Sequence, residues 1–441
     1  MTAPIAAAWL NSVFVRATAS SSTLLFVAAL ACAPHTPLSA QRAPSDSARA
    51  AADSLAARLK RAEDAIAILQ QQLGEQAASS VSTRSRMKLE FNGRVLVHAF
   101  RNDANVNNVD DPQVVRPDQS TQLPATSLGL AIRQTTLGLV LTSRDVLGGQ
   151  FTGDVDVDFF GGQQPSSGGR TFPLLRIRTA RGAVRWANGE VMAGQESPLI
   201  APLSPISPAA IGTPSFAAAG NLWLWLPQLR GTVETSGAVR VGLQGAVLAN
   251  TNGDAVAPFD TDADAAERSG MPAFEMRVRA RWGEDALASE IGCGGHIARL
   301  AAVRQVHQTH ALACDARLGF ERVELRGEGY VGRGLRGLGG GGISQNLDRT
   351  GSPLRDAGGW AQLNVAATAL VKLGASCGVD VPHSADVALG GRLRNGSCAA
   401  YTIVRPSGPV FVGAEFRRIE TKYSSGTFAN DHVSLSFGFE F

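Results

Sequence analysis

The chain has 441 residues, a formal net charge of +3, 48 glycines and 18% charged residues. A helical membrane protein would contain apolar runs of about 20 residues, and outside its N-terminus this sequence has none. The small net charge and the lack of a basic tail exclude a typical nucleic-acid-binding protein. A moderately apolar, glycine-rich chain of this kind favours many alternating β-strands.

The first 40 residues have the pattern of a secretory signal peptide. Arg16 supplies positive charge, Leu24–Ala31 is a short apolar core, and Leu38-Ser39-Ala40 is a small-residue cleavage site. We therefore predict that the mature chain begins after this site. Cys32 raises the alternative of a lipoprotein, although Ala29 stands where a leucine is typical three residues before the modified cysteine.

Residues 41–86 are predicted to form an α-helical coiled coil followed by a linker. Apolar residues recur at alternating spacings of 4 and 3 over nearly four heptads, which is the seam of a coiled coil. A narrow seam must be buried, so we predict that identical chains associate through it; packing of the helix on its own barrel is the alternative. The residues expected to carry this association are Leu55, Leu59, Ile66, Leu69 and Leu73.

From residue 87 onward, apolar and polar residues alternate in stretches of about ten, which is the signature of transmembrane β-strands. In the first stretch Leu89, Phe91 and Val95 share one face, while Glu90 and Arg94 lie on the other. About sixteen such strands fit into residues 87–441. The sequence therefore predicts an all-β fold, a transmembrane antiparallel β-barrel of about sixteen strands, wide enough for an aqueous channel.

The last strand has the clearest pattern. Val433, Leu435, Phe437, Phe439 and Phe441 occupy one face, and the sequence stops at Phe441. A terminal aromatic residue on an apolar face resembles the signal that the outer-membrane assembly machinery reads, so Phe441 is the predicted assembly signal. Soluble β-sandwiches also alternate, but their strands are shorter, about five or six residues.

Two further features of the predicted barrel leave alternatives open. The stretch 197–219 is proline-rich, apolar and nearly uncharged, which favours a loop that folds into the channel and narrows it; a surface loop or a contact between protomers is the alternative. In an oxidising compartment the cysteines would pair as Cys293 with Cys314 and Cys377 with Cys398, and free thiols are equally compatible with the sequence.

The polar faces of the predicted strands are rich in arginine. A pore selects by its width and by the charges that line it, and guanidinium groups bind carboxylate and phosphate while always staying charged. We expect acidic and basic walls that oppose each other across the opening; pairing of the charges across adjacent strands is the alternative. The predicted pore-lining residues are Arg133, Arg176, Arg178, Arg240, Arg277, Arg279, Arg281, Asp154, Asp156 and Asp158.

Short motifs along the barrel carry a family resemblance. They are Ile132–Gly138, Gly153–Gly161, Leu175–Ala180, Ala193–Gln195, Leu226–Arg230, Gly358–Leu363, Arg394–Ser397 and Glu415–Arg418. With the coiled coil ahead of them, they make the chain resemble the DcaP-like trimeric outer-membrane porins. The resemblance implies a sixteen-stranded barrel, a homotrimer, a periplasmic N-terminal coiled coil and uptake of small negatively charged solutes such as dicarboxylates.

The sequence departs from that family at two positions. Thr136 stands where the family tends to have a second arginine, and Arg181 stands where it tends to have an aromatic residue. Arg181 shares the parity of Leu175 and Ile177, so it is expected on the lipid face, where an arginine is tolerable near the rim.

The sequence shows no catalytic, cofactor-binding or metal-binding pattern, because its histidines are scattered and it contains neither a nucleophile elbow nor a phosphate loop. We expect no enzyme. The expected function is a passive diffusion channel of the bacterial outer membrane for small anionic solutes. Its expected partners are the lipid bilayer, the assembly machinery and further copies of the chain, without nucleic acid. The alternative is a structural or adhesive barrel with a plugged lumen and a coiled-coil tether.

Overall fold

The structure is a computed structural model that describes residues 58, 60, 81–82, 87–117, 125–162, 173–253, 262–283, 288–340 and 345–441. The predicted signal peptide and the predicted coiled-coil seam lie outside these residues. Arg58 and Lys60, within the predicted coiled coil, are helical. The chain divides into two compact units, one of which comprises Ser82–Phe441 and contains all the strands from Lys88 onward.

The described residues from Val81 onward consist almost entirely of β-strands. In chain order they are β1 (Val81–Ser82), β2 (Lys88–Asn102), β3 (Ser127–Ala131), β4 (Thr136–Val146), β5 (Gly149–Asp158), β6 (Arg176–Trp186), β7 (Gly189–Glu196), β8 (Leu226–Glu234), β9 (Val239–Leu248), β10 (Ala273–Trp282), β11 (Ser289–Ala302), β12 (Gln305–Gly319), β13 (Val323–Arg333), β14 (Arg355–Ala366), β15 (Val371–Pro382), β16 (Arg392–Ser407), β17 (Val410–Tyr423) and β18 (Gly426–Glu440). Short 3-10 helices span Glu267–Ser269 and Arg336–Leu338. Among the described residues, no helix is long and apolar enough to cross a membrane.

The strands from β2 to β18 form a closed antiparallel barrel. From β4 onward each strand pairs with the next one in sequence, and β18 pairs with β2, so the sheet has no free edge. Both β3 and β4 pair with β2, at opposite ends of that strand, and together they fill one position of sixteen. The predicted all-β barrel of about sixteen strands is therefore confirmed, whereas the coiled coil ahead of it stays a prediction.

The two faces of the barrel are reversed relative to a water-soluble protein. Outward-facing apolar side chains are largely uncovered, such as Leu128 at 81% and Leu312 at 66% exposed, while the polar side chains of His98, Asn102 and Arg277 are buried inside. An outer surface made largely of exposed apolar side chains is unfavourable in water and favourable in hydrocarbon. The alternation read from the sequence thus places apolar residues outside and polar residues inside.

The two ends of the barrel differ in their connections. At one end, which we call the short-turn end, two residues join β4 to β5 and β6 to β7. At the other, the long-loop end, the connections include 103–126, 159–175, 197–225, 249–272 and 334–354. In barrels of outer membranes the short turns face the periplasm and the long loops face outward.

Two disulfides join neighbouring strands on the outer face. Cys293 of β11 pairs with Cys314 of β12, and Cys377 of β15 pairs with Cys398 of β16. Each pair consists of residues directly opposite each other in the strand register. Of the two alternatives left open by the sequence, the structure therefore shows the paired one.

One irregularity changes the face on which Arg181 lies. The pairing of β6 with β5 shifts by one residue between Asp156 and Val157, which leaves Arg178 as an extra residue in β6. A bulge of this kind displaces the alternation, so residues beyond it turn to the opposite face. Arg181 therefore points inward, where its Nε donates to Asp154 at 2.8 Å. The prediction that Arg181 faces lipid is wrong.

Candidate functional site: the charged lumen

The proline-rich segment between β7 and β8 folds into the barrel. We call residues 197–225 the inner loop. Backbone N–H groups and one hydroxyl of this loop donate hydrogen bonds to side chains at many positions around the inner wall. The loop therefore lies along that wall and not on the outer surface. The contacts run from the N–H groups of Leu199 to Glu275 (2.5 Å), Leu203 to Glu328 (2.6 Å), Ile206 to Gln362 (2.8 Å) and Ile211 to Gln134 (2.6 Å), and from the Ser207 hydroxyl to Glu415 (2.5 Å).

The composition of the inner loop explains this path. Prolines lack an N–H, so fewer backbone donors need a partner away from water. Small residues let the loop approach the wall closely: Gly220 has a φ of 99°, and a Cβ there would collide with the backbone of Gly359. Of the alternatives left open by the sequence, a loop that folds into the barrel is the one the structure shows.

A second segment, in the connection between β2 and β3, also lies inside the barrel. Arg133 forms an ion pair with Asp110 and stacks on the Phe160 ring at 3.9 Å. Asp111 accepts a hydrogen bond from the Thr213 N–H at 3.2 Å, which ties this segment to the inner loop. Burial raises the pKa of Asp111 to about 7, against the lowering effect of Arg417. These contacts narrow the long-loop half of the lumen.

The structure places all ten predicted pore-lining residues inside the barrel. Arg133 is in the turn between β3 and β4, and the other nine lie on the inward faces of β5, β6, β9 and β10. They divide into buried groups, such as Arg277 and Asp158, and groups that are partly exposed to the lumen, such as Arg240 and Arg281. Their role in ion selectivity stays a prediction.

The acidic and basic rows of β5 and β6 are neighbours and pair with each other. Asp158 binds the Arg176 guanidinium at 2.7 Å and lies 3.5 Å from Arg178. Asp154 accepts from Arg181 on the same adjacent strand. The expected pair of opposed acidic and basic walls is therefore wrong for these residues, because strand adjacency brings their charges into contact. Their pairing holds two neighbouring strands together.

Arg277 is a structural residue of the wall. Its guanidinium is nearly fully buried and donates to Asp315 at 2.6 and 2.9 Å, to Glu290 at 2.7 Å and to Gln244 at 2.8 Å. These four contacts leave little of the group available to a passing solute. Its arrangement is that of a buried ion pair whose hydrogen-bonding groups are well satisfied.

We expect Arg277→Ala to destabilise the barrel, because Asp315 would remain as a buried charge without its main partner. The expected loss is about 3–5 kcal/mol, typical for breaking a buried pair, with little change in ion selectivity. Urea unfolding followed by tryptophan fluorescence measures the free energy of unfolding, and planar bilayer recordings measure the ion selectivity. Arg277→Lys, which keeps the charge, should lose less. Unchanged stability together with altered selectivity would contradict this assignment.

Elsewhere on the inner wall, several cations share one carboxylate. Glu440 accepts from Arg94 at 2.9 Å and from Arg405 at 2.7 Å. Glu324 accepts from Arg317 at 3.0 Å and from Arg326 at 2.8 Å. We call these two groups the shared-carboxylate clusters. In each of them, one negative charge is divided between two guanidinium groups, so positive charge is in excess.

Further cations add to this excess. Lys372 on β15 is partly exposed and interacts electrostatically with Glu324, and no ion pair to it occurs among the described residues. Arg240 lies beside Arg281 in the strand register, and Arg281 is 3.3 Å from Glu290, which Arg277 already binds. The partly exposed inner wall toward the short-turn end is therefore cationic at several places around the barrel.

The barrel is similar to solved structures of bacterial outer-membrane channels. The outer membrane channel DcaP of Acinetobacter baumannii superposes with a TM-score of 0.63 at 13% sequence identity, over 82% of this chain and 100% of that one. This chain has the DcaP barrel fold. An anion-selective porin from Comamonas acidovorans is also similar, with a TM-score of 0.52 at 11% identity over 80% of this chain and 100% of that one. No protein-family model and no curated protein matches the sequence.

The resemblance to the DcaP-like porins that the motifs predicted is thus supported by the DcaP fold. Sequence reasoning missed Arg317, Lys372 and Arg405 as lumen residues. Their inward parity could have been read from the alternation, as it was for Arg277. The shared carboxylates could not, because Arg94 and Glu440 lie 346 residues apart and meet only when the DcaP-type barrel closes.

Proposed function

We propose that the chain is an outer-membrane porin, a passive diffusion channel for small anionic solutes of the dicarboxylate type. The observation that carries the proposal is the pair of shared-carboxylate clusters on the inner wall of a barrel whose outer face is apolar. Cations that are only partly neutralised lower the barrier to an anion in a pore. The channel fold of the similar structures and the anion selectivity named for the Comamonas porin support it.

The clusters also suit the chemistry of a carboxylate solute. A guanidinium group has five N–H donors, and one shared carboxylate uses only part of them. The Arg94 side chain is 27% exposed and that of Arg317 35% exposed, so their remaining donors face the lumen. A passing dicarboxylate would exchange bound water for hydrogen bonds from the arginines of one cluster. Its second carboxylate would be attracted by the arginines of the other cluster. No nucleophile or metal is required for this.

The same proposal includes the biogenesis of the channel. Residues 1–40 direct export, residues 87–441 form the membrane barrel, and the coiled coil in residues 41–86 lies in the periplasm and joins three copies. Phe441 and its apolar strand serve the assembly machinery. Removal of residues 47–74 is expected to loosen the trimer, because the seam centred on Leu59 and Ile66 is lost. Light scattering of both forms in detergent measures this, and an intact chain that is monomeric would refute it.

The solute class is tested by swelling of proteoliposomes that contain the purified full chain. We expect faster swelling in succinate than in a neutral sugar of similar size, and faster in the sugar than in a cationic diamine. Because the three solutes are similar in size, this order of swelling rates would reflect the positive charge of the inner wall. Equal rates for succinate and the diamine would contradict anion preference while leaving the channel intact.

The second candidate is a structural or adhesive barrel with a plugged lumen. It is favoured by one observation: the inner loop and the segment around Asp111 bury much of the lumen wall in the long-loop half. This candidate predicts no swelling with any solute at any size. The porin predicts swelling that stops only above a size limit.

A further inference from the structure

The outer face of the barrel contains a groove of about 600 Å³ across β14, β15, β16 and β17. It is lined by two neighbouring rows of the strand register, whose members on β14, β15 and β16 are small side chains that form its floor, and whose members on β17 are charged. Larger apolar side chains, Leu363 at 44% and Phe416 at 47% exposed, border it toward the short-turn end. The two rows are Ala361, Cys377, Cys398 and Arg418, and Gly359, Val379, Gly396 and Glu420.

Cations border the same groove toward the long-loop end. Arg394 and Lys422 lie opposite each other in the register of β16 and β17, and both are exposed. No ion pair to either occurs among the described residues. Arg418 is shared by two nearby carboxylates, Glu420 at 3.2 Å and Asp431 at 2.9 Å, so with Arg394 and Lys422 there are three cations against two acids. The upper edge of the groove therefore carries a net positive charge.

Other exposed arginines on the outer face lack such a floor. Arg299 and Arg333 lie near the long-loop end, and the next side chains on their face are Ile297 and Val331, which are 51% and 56% exposed. The next outward residue below Arg394 is Gly396. Of these three exposed arginines, Arg394 is the one that borders a depression lined by small side chains.

We propose that this groove binds one phosphate-bearing membrane lipid of the outward leaflet, with an acyl chain on the small-residue floor and the phosphate on Arg394 and Lys422. The proposal rests on the membrane placement given under Proposed function. A groove that opens sideways into lipid is filled by chains rather than by water, and cations at its upper edge attract an anionic headgroup. Two N–H groups of the planar Arg394 guanidinium can donate to two phosphate oxygens at once.

The test uses native mass spectrometry of the full chain in detergent with added dioleoylphosphatidic acid. Dioleoylglycerol has the same chains without phosphate and serves as the matched lipid. We expect the wild type to retain phosphatidic acid at least tenfold more tightly than dioleoylglycerol. Arg394→Glu should weaken retention about tenfold, since it reverses one of two charges at the site.

Two variants separate the parts of the site. Gly396→Val fills the floor without a charge change, and a Cβ at that position lies 3.4 Å from the Arg394 guanidinium, which can move; it should also weaken retention. Arg333→Glu makes the same charge change at a place without a groove and should have no effect. Equal losses in Arg333→Glu and Arg394→Glu would overturn the proposal, as would retention unaffected by either groove variant.

Inorganic phosphate distinguishes a lipid site from a free anion site. If millimolar phosphate displaced the lipid completely, the acyl chain would contribute nothing and the proposal would fail. The proposed channel is tested separately, because these side chains lie outside the lumen. Loss of lipid retention with normal conductance would reject only the lipid site, whereas a silent channel that retains lipid would reject only the porin.

Discussion

Lys372→Glu combined with Arg240→Glu is expected to convert the proposed anion-preferring channel into a cation-preferring one. Both side chains are partly exposed on the inner wall, and no ion pair to either occurs among the described residues. Lys372 lies near the cluster on Glu324, and Arg240 lies beside Arg281. Because the wall excludes water on one side, each charge acts strongly on an ion in the lumen.

The size of this effect follows from the change in charge. Two cations become two anions, so the lumen loses four units of positive charge. We expect the permeability ratio of chloride to potassium to fall by at least about tenfold, which corresponds to ~1.4 kcal/mol. The control is Arg101→Glu with Arg333→Glu, an equal charge change on the outer face. An equal loss of anion preference in the control would show that the lumen charges do not select.

Removal of the inner loop is expected to widen the channel. Replacing residues 199–219 with a short Gly-Ser linker should raise single-channel conductance by roughly threefold, because a sixteen-stranded barrel without such a loop leaves an open aqueous channel. Anion preference should fall as well, since ions then pass farther from the wall and salt screens its charges. Planar bilayer recordings in symmetric KCl measure both.

A milder variant tests the same loop without a deletion. Glu275→Gln with Glu328→Gln keeps the shape of the side chains but replaces the carboxyl acceptors of two hydrogen bonds that the inner loop donates, those from the N–H groups of Leu199 and Leu203. We expect frequent conductance flicker from a loosened loop. Shortening the exposed tip at 348–352 of another connection is the control. Unchanged conductance in both inner-loop variants would mean that this loop does not limit the passage.

The features of the barrel that repeat every two residues could be predicted from the sequence. Alternation fixes which side chains face outward, because a strand turns each successive residue to the opposite face, and the count of alternating stretches gives the approximate number of strands. The inner loop could also be anticipated, because an apolar, proline-rich connection avoids water and offers few unsatisfied donors.

Features that depend on register between distant strands could not be predicted. The bulge at Arg178 moves Arg181 to the inner face, and nothing in the local alternation indicates it. The pairing of Asp158 with Arg176 replaced the expected opposed walls, because the sequence does not show how far apart two strands stand around a barrel. The sharing of Glu440 between Arg94 and Arg405 likewise requires the barrel to close.

The reversal potential of the wild-type channel tests most directly whether water and anions pass along a cationic inner wall. The purified full chain is placed in a planar bilayer with a tenfold gradient of KCl, and current is recorded as a function of voltage. We expect discrete open channels whose reversal potential has the sign of chloride permeation. Silence at every voltage, or a reversal potential of the sign for potassium, would contradict that expectation.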